Sequence, residues 1–191
     1  ALVGSFEEIS PEHFIIKQKL GYWKNEIISA RELLDSTTPG TIAGEGTFFF
    51  FLQEDLAGAL ARLAGLRMLF EPTTELVISG IAQLLQQNQL APDAIDLVFL
   101  GNNGDQRYAP VYDAVAAIFS ADVHLQAFKP ASGEFDTASG FAVWLAIQAA
   151  RQQKLHPALT IRPGSRKGFK NILIYSNLNG LQHSIYLLQQ V

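Results

Sequence analysis

Leu97-Val98-Phe99-Leu100-Gly101-Asn102-Asn103-Gly104-Asp105 decides the fold, because four consecutive apolar residues run straight into a turn made of Gly, Asn and Asp. A short apolar run bounded by turn residues reads as a strand buried on both faces. Apolar residues at helical spacing occupy residues 73–89 before it and 108–119 after it, followed by a strand over 123–128 and a helix over 137–153. Two apolar runs, 172–175 and 184–188, close the chain around Asn177-Leu178-Asn179-Gly180, a hairpin turn. Residues 60–70 fit two patterns, since Leu60, Leu63, Leu66 and Leu69 have helical spacing while Leu66, Met68 and Phe70 alternate. A strand is expected over their second half. The order is then β-α-β-α-β-α-β-β. Strands alternating with helices of about 12 to 17 residues imply right-handed parallel crossovers. The expectation is an α/β protein with a mixed, mostly parallel five-stranded sheet covered by helices. Ligands in such sheets sit beyond the C-terminal strand ends, which puts residues 101–105, 129–136 and 177–180 on one rim.

The N-terminal quarter adds extra strands. Ala1-Leu2-Val3-Gly4-Ser5 reads as a short buried strand, and Ser10-Pro11-Glu12 as the capped start of a short helix. Residues 21–45 are broken by Gly21, Asn25, Ser36-Thr37-Thr38-Pro39-Gly40 and Gly44, so a loop-rich excursion with one helical turn near residues 29–34 is expected. Thr47 to Leu52 return as an aromatic strand, with Phe48-Phe49-Phe50-Phe51 packed on both faces.

Composition excludes several classes of function. The chain has 191 residues, 14 Lys+Arg against 18 Asp+Glu, a net charge of −4, and 48% hydrophobic against 17% charged residues. That is a globular composition, with fewer charges than the usual quarter. The longest apolar run falls far short of the roughly 18 residues that cross a bilayer, so no membrane span is expected, and no signal peptide is visible. Arg162, Arg166, Lys167 and Lys170 form too small a basic stretch for nucleic acid. Zero cysteines and four scattered histidines leave no thiolate zinc site, no cysteine nucleophile and no paired metal motif in this chain. No phosphate-gripping or dinucleotide-binding glycine pattern is present, so no cofactor is expected. The first residue is Ala1 and the only methionine is Met68, which leads us to expect a piece of a longer protein.

A run of landmarks carries a resemblance. Ala1-Leu2-Val3-Gly4 with Glu7, Gly44-Glu45-Gly46, Pro92-Asp93-Ala94-Ile95-Asp96, a loop ending in Gly104-Asp105, Phe128-Lys129-Pro130, and Gly133 followed by Ala138-Ser139-Gly140 occur in that order. In this the chain resembles the C-terminal half of a β-ketoacyl-acyl carrier protein synthase, one of the thiolase-like condensing enzymes. The resemblance implies that residues 1–57 are strands and loops of a first thiolase-like half and that residues 58–191 are the second half. It also implies acyl-carrier-protein-dependent synthesis of fatty acid, polyketide or aryl polyene chains in the cytoplasm. The implied partners are an acyl carrier protein and either the missing half or a homologous synthase subunit, in a homo- or heterodimer.

The departures are in the catalytic motifs. Members of that family carry a cysteine nucleophile in the first half, a histidine opening the loop that ends in Gly-Asp, a lysine on the next strand, and a histidine after the following glycine. Here only Lys129 matches. The first loop has no histidine, Gly133 is followed by Glu134, and Asn177-Leu178-Asn179-Gly180-Leu181 replaces the gating Gly-Phe-Gly-Gly. Condensation needs donors for an oxygen that gains negative charge. Asn102 or Asn103 could donate through an amide, whereas an ionised Glu134 repels such charge unless it is protonated or paired with Lys129.

The resemblance makes Lys129 and Glu134 the catalytic candidates, and Asn102, Asn103, Asp105, Asn177, Asn179 and Gly180 the substrate-binding ones. Each also has a plain structural reading: a tight turn for 102–105 with Asp105 as a helix cap, a solvated strand-end lysine for Lys129, and capping of the next helix for Glu134 and Asp136. His183 reads as an ordinary strand residue and Trp144 as core. The functional alternatives are a synthase with altered or lost condensing activity, a non-catalytic chain-length-factor-like subunit, and an unrelated small-ligand-binding α/β domain.

Overall fold

The computed structural model describes residues 1–191. Two sheets organise the chain. Strands β1 (Leu2–Glu7) and β2 (Gly46–Phe51) pair antiparallel as a separate two-stranded ribbon, and helix α1 (Pro11–Lys19) lies between them in sequence. Strands β3 (Arg62–Phe70), β4 (Leu97–Leu100), β5 (His124–Ala127), β6 (Thr160–Arg162), β7 (Asn171–Leu178) and β8 (Gln182–Gln189) form a six-stranded sheet in the order β3-β8-β7-β4-β5-β6. Helices α2 (Thr74–Gln87), α3 (Ala109–Ala116), α4 (Lys129–Ser132) and α5 (Ser139–Gln152) complete the fold.

The mixed α/β architecture expected from the sequence is present, with a sixth strand added. Strand β4 pairs parallel with β5 and β7, while β3 with β8, β7 with β8, and β5 with β6 are antiparallel. Strands β3, β4, β5 and β7 therefore all run in one direction, and β8 and β6 run against them. Strand β6 was not expected because Thr160-Ile161-Arg162 is too short to set up a periodic pattern.

Alternation along the central strands builds a core on each face. Val98, Leu100, Leu173, Tyr175, Ile185 and Leu187 point into one cluster with Val77, Ile81 and Leu85 of α2 and Tyr112 and Val115 of α3. Leu97, Phe99, Ile172, Ile174 and Leu188 point into the other, against Ala142, Ala146, Ala149 and Ala150 of α5. Alanine at these positions lets the helix axis approach the sheet closely. Helix starts follow their capping signals, since Ser10 Oγ accepts from His13 N at 3.2 Å and Thr73 Oγ1 from Leu76 N at 3.3 Å. No helix is long and apolar enough to cross a membrane.

Three sequence expectations change in the N-terminal quarter and on α5. Strand β1 forms but is not buried, with Leu2, Val3 and Phe6 exposed. Phe48 and Phe50 are half-buried with their rings tilted 43° and 5.6 Å apart, while Phe49 and Phe51 point outward, so β2 is covered on one face only. Trp144, expected in the core, is 46% exposed and stacks on Phe141. The strand at 60–70 covers nearly the whole segment, and the helical turn near 29–34 appears as a short 3-10 turn at Leu33–Asp35.

The excursion between β1 and β2 is strapped onto the main domain. Thr41 Oγ1 donates to Asn103 O at 2.6 Å, and Lys24 Nζ donates to Gly104 O at 3.1 Å. Leu33 is fully buried beneath the 101–105 turn. Gly104 has φ +73°, and a Cβ there would stand 2.1 Å from Leu33 O. Gly104→Ala is expected to lose about 1–3 kcal/mol from the left-handed backbone alone, with the backbone clash in addition, read as a lowered denaturation midpoint. His183 gives a second test. Burial holds its imidazole below its ordinary range, against the opposing pull of Gly180 O, and the nearby Lys129 charge lowers it further. The unfolded chain therefore takes up the proton first, so this group's stability is complete above the ordinary histidine range and is lost as pH falls below about 6.5. His183→Gln is expected to flatten the fall in unfolding free energy just below that pH; an unchanged slope would rule the assignment out.

Candidate functional site

Three loops at the C-terminal ends of the parallel strands meet at one buried ion pair. Strand β5 delivers Phe128 and Lys129, and the one-turn helix α4 brings the chain round to Gly133, whose φ of +69° reverses it. Glu134 is fixed by a parallel bridge to the strap, with Glu134 N donating to Ile42 O at 2.9 Å and Gly44 N donating to Glu134 O at 3.0 Å. Gly44 and Gly133 make this possible, because a Cβ on Gly44 would lie 2.1 Å from Ser132 O.

Lys129 is only 1% exposed, so the solvated-lysine reading does not hold. Its Nζ donates to Glu134 Oε2 at 2.6 Å and to Asn177 O at 2.7 Å. Asn103 Nδ2 donates to the same Glu134 Oε2 at 2.6 Å. Burial pushes the Glu134 carboxyl above the usual carboxylate range, while the Lys129 ammonium and the two hydrogen bonds pull it part of the way back. Glu134 Oε1 is buried without a partner, and so is Asn177 Nδ2.

The other candidates divide. Asn177 enters the cluster through its backbone carbonyl, while its Oδ1 accepts from Gly180 N at 2.6 Å and shapes the hairpin turn. Asn179 and Gly180 hold that turn with positive φ. Asp105 does not reach the ion pair. It accepts from Arg107 N at 3.0 Å, as a cap does, and from the Arg107 guanidinium. Burial works to raise the Asp105 carboxyl, but hydrogen bonds from Arg107 outweigh it and hold the group below its usual range. Asn102 is half-buried and takes no part in the hydrogen bonding of the cluster. Lys129, Glu134 and Asn103 thus come together, joined by one carbonyl of the hairpin.

Several residues of the surroundings take roles that the sequence did not indicate. Lys17 of α1 is buried, donates to Asp136 Oδ1 at 2.7 Å and lies 4.0 Å from Glu7 and 5.7 Å above the Trp23 ring. Glu7 accepts from Asp136 N and Thr137 N, so the acidic pair 134 and 136 does not cap α5; Glu7 of β1 serves that turn. His183 Nδ1 and the Tyr175 hydroxyl are 2.8 Å apart beneath the hairpin. No group of three or more His, Asp or Glu side chains is placed to hold a metal ion.

What this arrangement offers chemically is a cation and an amide donor converging on one point that a carboxylate oxygen already occupies. Lys129 and Glu134 line a cleft with Ser139, Ser176, Ser184 and Tyr186.

No protein-family model matches the sequence, and no curated protein matches it. Solved structures do match. The ishigamide ketosynthase/chain length factor aligns over 100% of this chain and 54% of its own, with TM-score 0.74 and 16% identity. A type II polyketide synthase acyl-carrier protein complex, with its ketosynthase bound to the hexaketide, aligns over 100% of this chain and 56% of its own, with TM-score 0.77 and 16% identity. A β-ketoacyl synthase from Burkholderia phymatum aligns over 100% and 54%, with TM-score 0.71 and 16% identity. The chain has the fold of the ketosynthase and chain length factor structures along its whole length, and it spans about half the length of those proteins.

Proposed function

We propose that this chain is the second half of a β-ketoacyl synthase-like protein of acyl-carrier-protein-dependent chain synthesis, and that it has lost decarboxylative condensation. One observation carries the reading: Lys129 Nζ and Asn103 Nδ2 both donate to Glu134 Oε2. Condensation requires donors held ready for an oxygen that becomes negative only in the transition state. Here the two available donors are committed to an oxygen of the protein's own Glu134 carboxyl group and are not free for another.

Under this reading residues 1–57 belong to the first thiolase-like half and residues 58–191 form the second. The separation of the β1–β2 ribbon from the six-stranded sheet supports the division. The protein acts in the manner of a chain length factor, pairing in the cytoplasm with an active synthase subunit that receives chains from an acyl carrier protein. The exposed apolar residues of β1, β2 and β3 support such a pairing, because exposed apolar patches mark interaction surfaces.

The test uses the complete natural protein. Malonyl-carrier decarboxylation and condensation with an acyl-carrier substrate are expected at background rate, and Glu134→Gln is expected to leave them there. Condensation by the unmodified protein that is abolished by Lys129→Ala would overturn the reading. The ion pair makes a separate prediction. Lys129→Met leaves Glu134 buried and uncompensated and is expected to cost about 3–5 kcal/mol of stability. Lys129→Met combined with Glu134→Gln is expected to recover most of that loss in denaturant titrations, because the neutral pair removes the buried charge.

A further inference from the structure

The charges of this chain are divided along its sequence. All 18 Asp and Glu lie within residues 1–136 and residues 137–191 contain none, whereas Arg151, Lys154, Arg162, Arg166, Lys167 and Lys170 all fall in that last stretch. The fold gathers these six cations at one end of the main sheet. Helix α5 starts beside the Lys129 cleft and reaches Arg151 at the opposite end, where β4, β5 and β7 begin. Phe169 N donates to Gln153 Oε1 at 2.8 Å, and Gly164 N donates to His124 Nδ1 at 3.0 Å. Gln190 donates through its side chain to Ala150 O and through its backbone to Lys170 O. The end of α5, the 163–170 loop and the first residues of β5 and β7 thus form one surface.

None of the six cations has an anionic partner, because the ion pairs of the chain use Lys17, Lys24, Arg107 and Lys129. The carboxylates at this end are occupied otherwise. Asp96 Oδ2 accepts from Lys170 N and Asn171 N, and Asp122 Oδ1 accepts from Ser165 Oγ. Asp93 offers Arg166 its carbonyl, and Arg162 is held by the carbonyls of Phe119 and Ser120. Both guanidiniums are fixed by neutral acceptors, which leaves their charge uncompensated and lowers the entropy lost when a carboxylate binds. Arg151, Lys154, Lys167 and Lys170 are exposed.

The neighbours of these cations select the kind of anion. Residues 150–171 hold one Phe, Tyr or Trp, the buried Phe169, so no such ring is available to stack on bases. Their one exposed large apolar residue is Ile161, too little to anchor among lipids. Asp93 and Asp122 are exposed beside Arg166, each bonded to it through a carbonyl. A continuous anionic surface, whether a membrane or a nucleic-acid backbone, brings like charge against these two aspartates, whereas a protein can set its carboxylates opposite the cations alone.

We propose that this end of the sheet docks an acidic face of a partner protein. The Lys129 cleft lies at the other end of the strands, so this is an assembly partner and not the carrier of the reading above. The inference rests on the charge and fold of this chain and is independent of the synthase-like reading.

The test measures binding of three probes to the complete natural protein: a short labelled polyglutamate peptide, a labelled DNA duplex, and vesicles of phosphatidylglycerol in phosphatidylcholine. Polyglutamate is expected to bind, and more weakly as salt rises from about 50 to about 200 mM. Lys154→Gln, Lys167→Gln and Lys170→Gln together are expected to weaken it about tenfold. These side chains are exposed, so the variant is expected to keep its denaturation midpoint. Lys19→Gln with Arg31→Gln, at exposed cations outside this surface, is the control and is expected to leave binding unchanged. Failure of polyglutamate to bind, or equal weakening by the control, overturns the proposal. Tighter binding of the duplex or of the vesicles than of the peptide also overturns it and assigns the surface to nucleic acid or to a membrane.

Discussion

The Lys129–Glu134 ion pair is the constraint around which the loops at the ends of β4, β5 and β7 are arranged. Two charges that are almost fully buried survive only if their remaining hydrogen-bonding capacity is met. Asn103 from the loop after β4 and the Asn177 carbonyl from the end of β7 meet part of it. Each comes from a different parallel strand, so the pair also fixes how those three loops lie relative to one another. The strands supply a rigid base because Val98, Leu173 and Leu125 lock β4, β7 and β5 from beneath.

A second layer holds the pair from above. The excursion between β1 and β2 crosses the same loops and supplies backbone partners for Glu134 and a hydroxyl for the Asn103 carbonyl. Its approach is closer than side chains allow, and glycine at 44, 104 and 133 is the physical reason it fits. Lys24 shows the same logic at its margin. Burial lowers its ammonium, against the pull of Glu26 and Asp105, yet it donates to Thr38 O, Thr38 Oγ1 and Gly104 O. A buried cation is tolerated there because carbonyl and hydroxyl oxygens replace its lost water.

What could be read from the chain beforehand tracks how local each signal is. Leu97-Val98-Phe99-Leu100 followed by a turn is local, and so are the capped helix starts at Ser10 and Thr73; all three are found where expected. The convergence of residues 101–105, 129–136 and 177–180 followed from strand direction alone. The state of each side chain there did not, because it depends on partners distant in sequence. Lys129 before Pro130 looks solvated until Glu134 and the Asn177 carbonyl close over it. Asp105 looks like a ligand residue until Arg107, two positions on, claims it. The outward faces of β1, β2 and Trp144 were misjudged for the opposite reason, since an apolar pattern specifies a face to be covered and does not say by what.

That uncovered surface bears on the chemistry of the site. A two-stranded ribbon is marginal by itself in water, and this one presents Phe6, Phe49 and Phe51 to solvent while Leu66, Met68 and Phe70 of β3 do the same on the main sheet. Met68 also lines the cleft that Glu134 enters. Covering the β3 face would also take water away from the cleft that Met68 shares with Lys129 and Glu134, where a lower dielectric strengthens the attraction between the two charges.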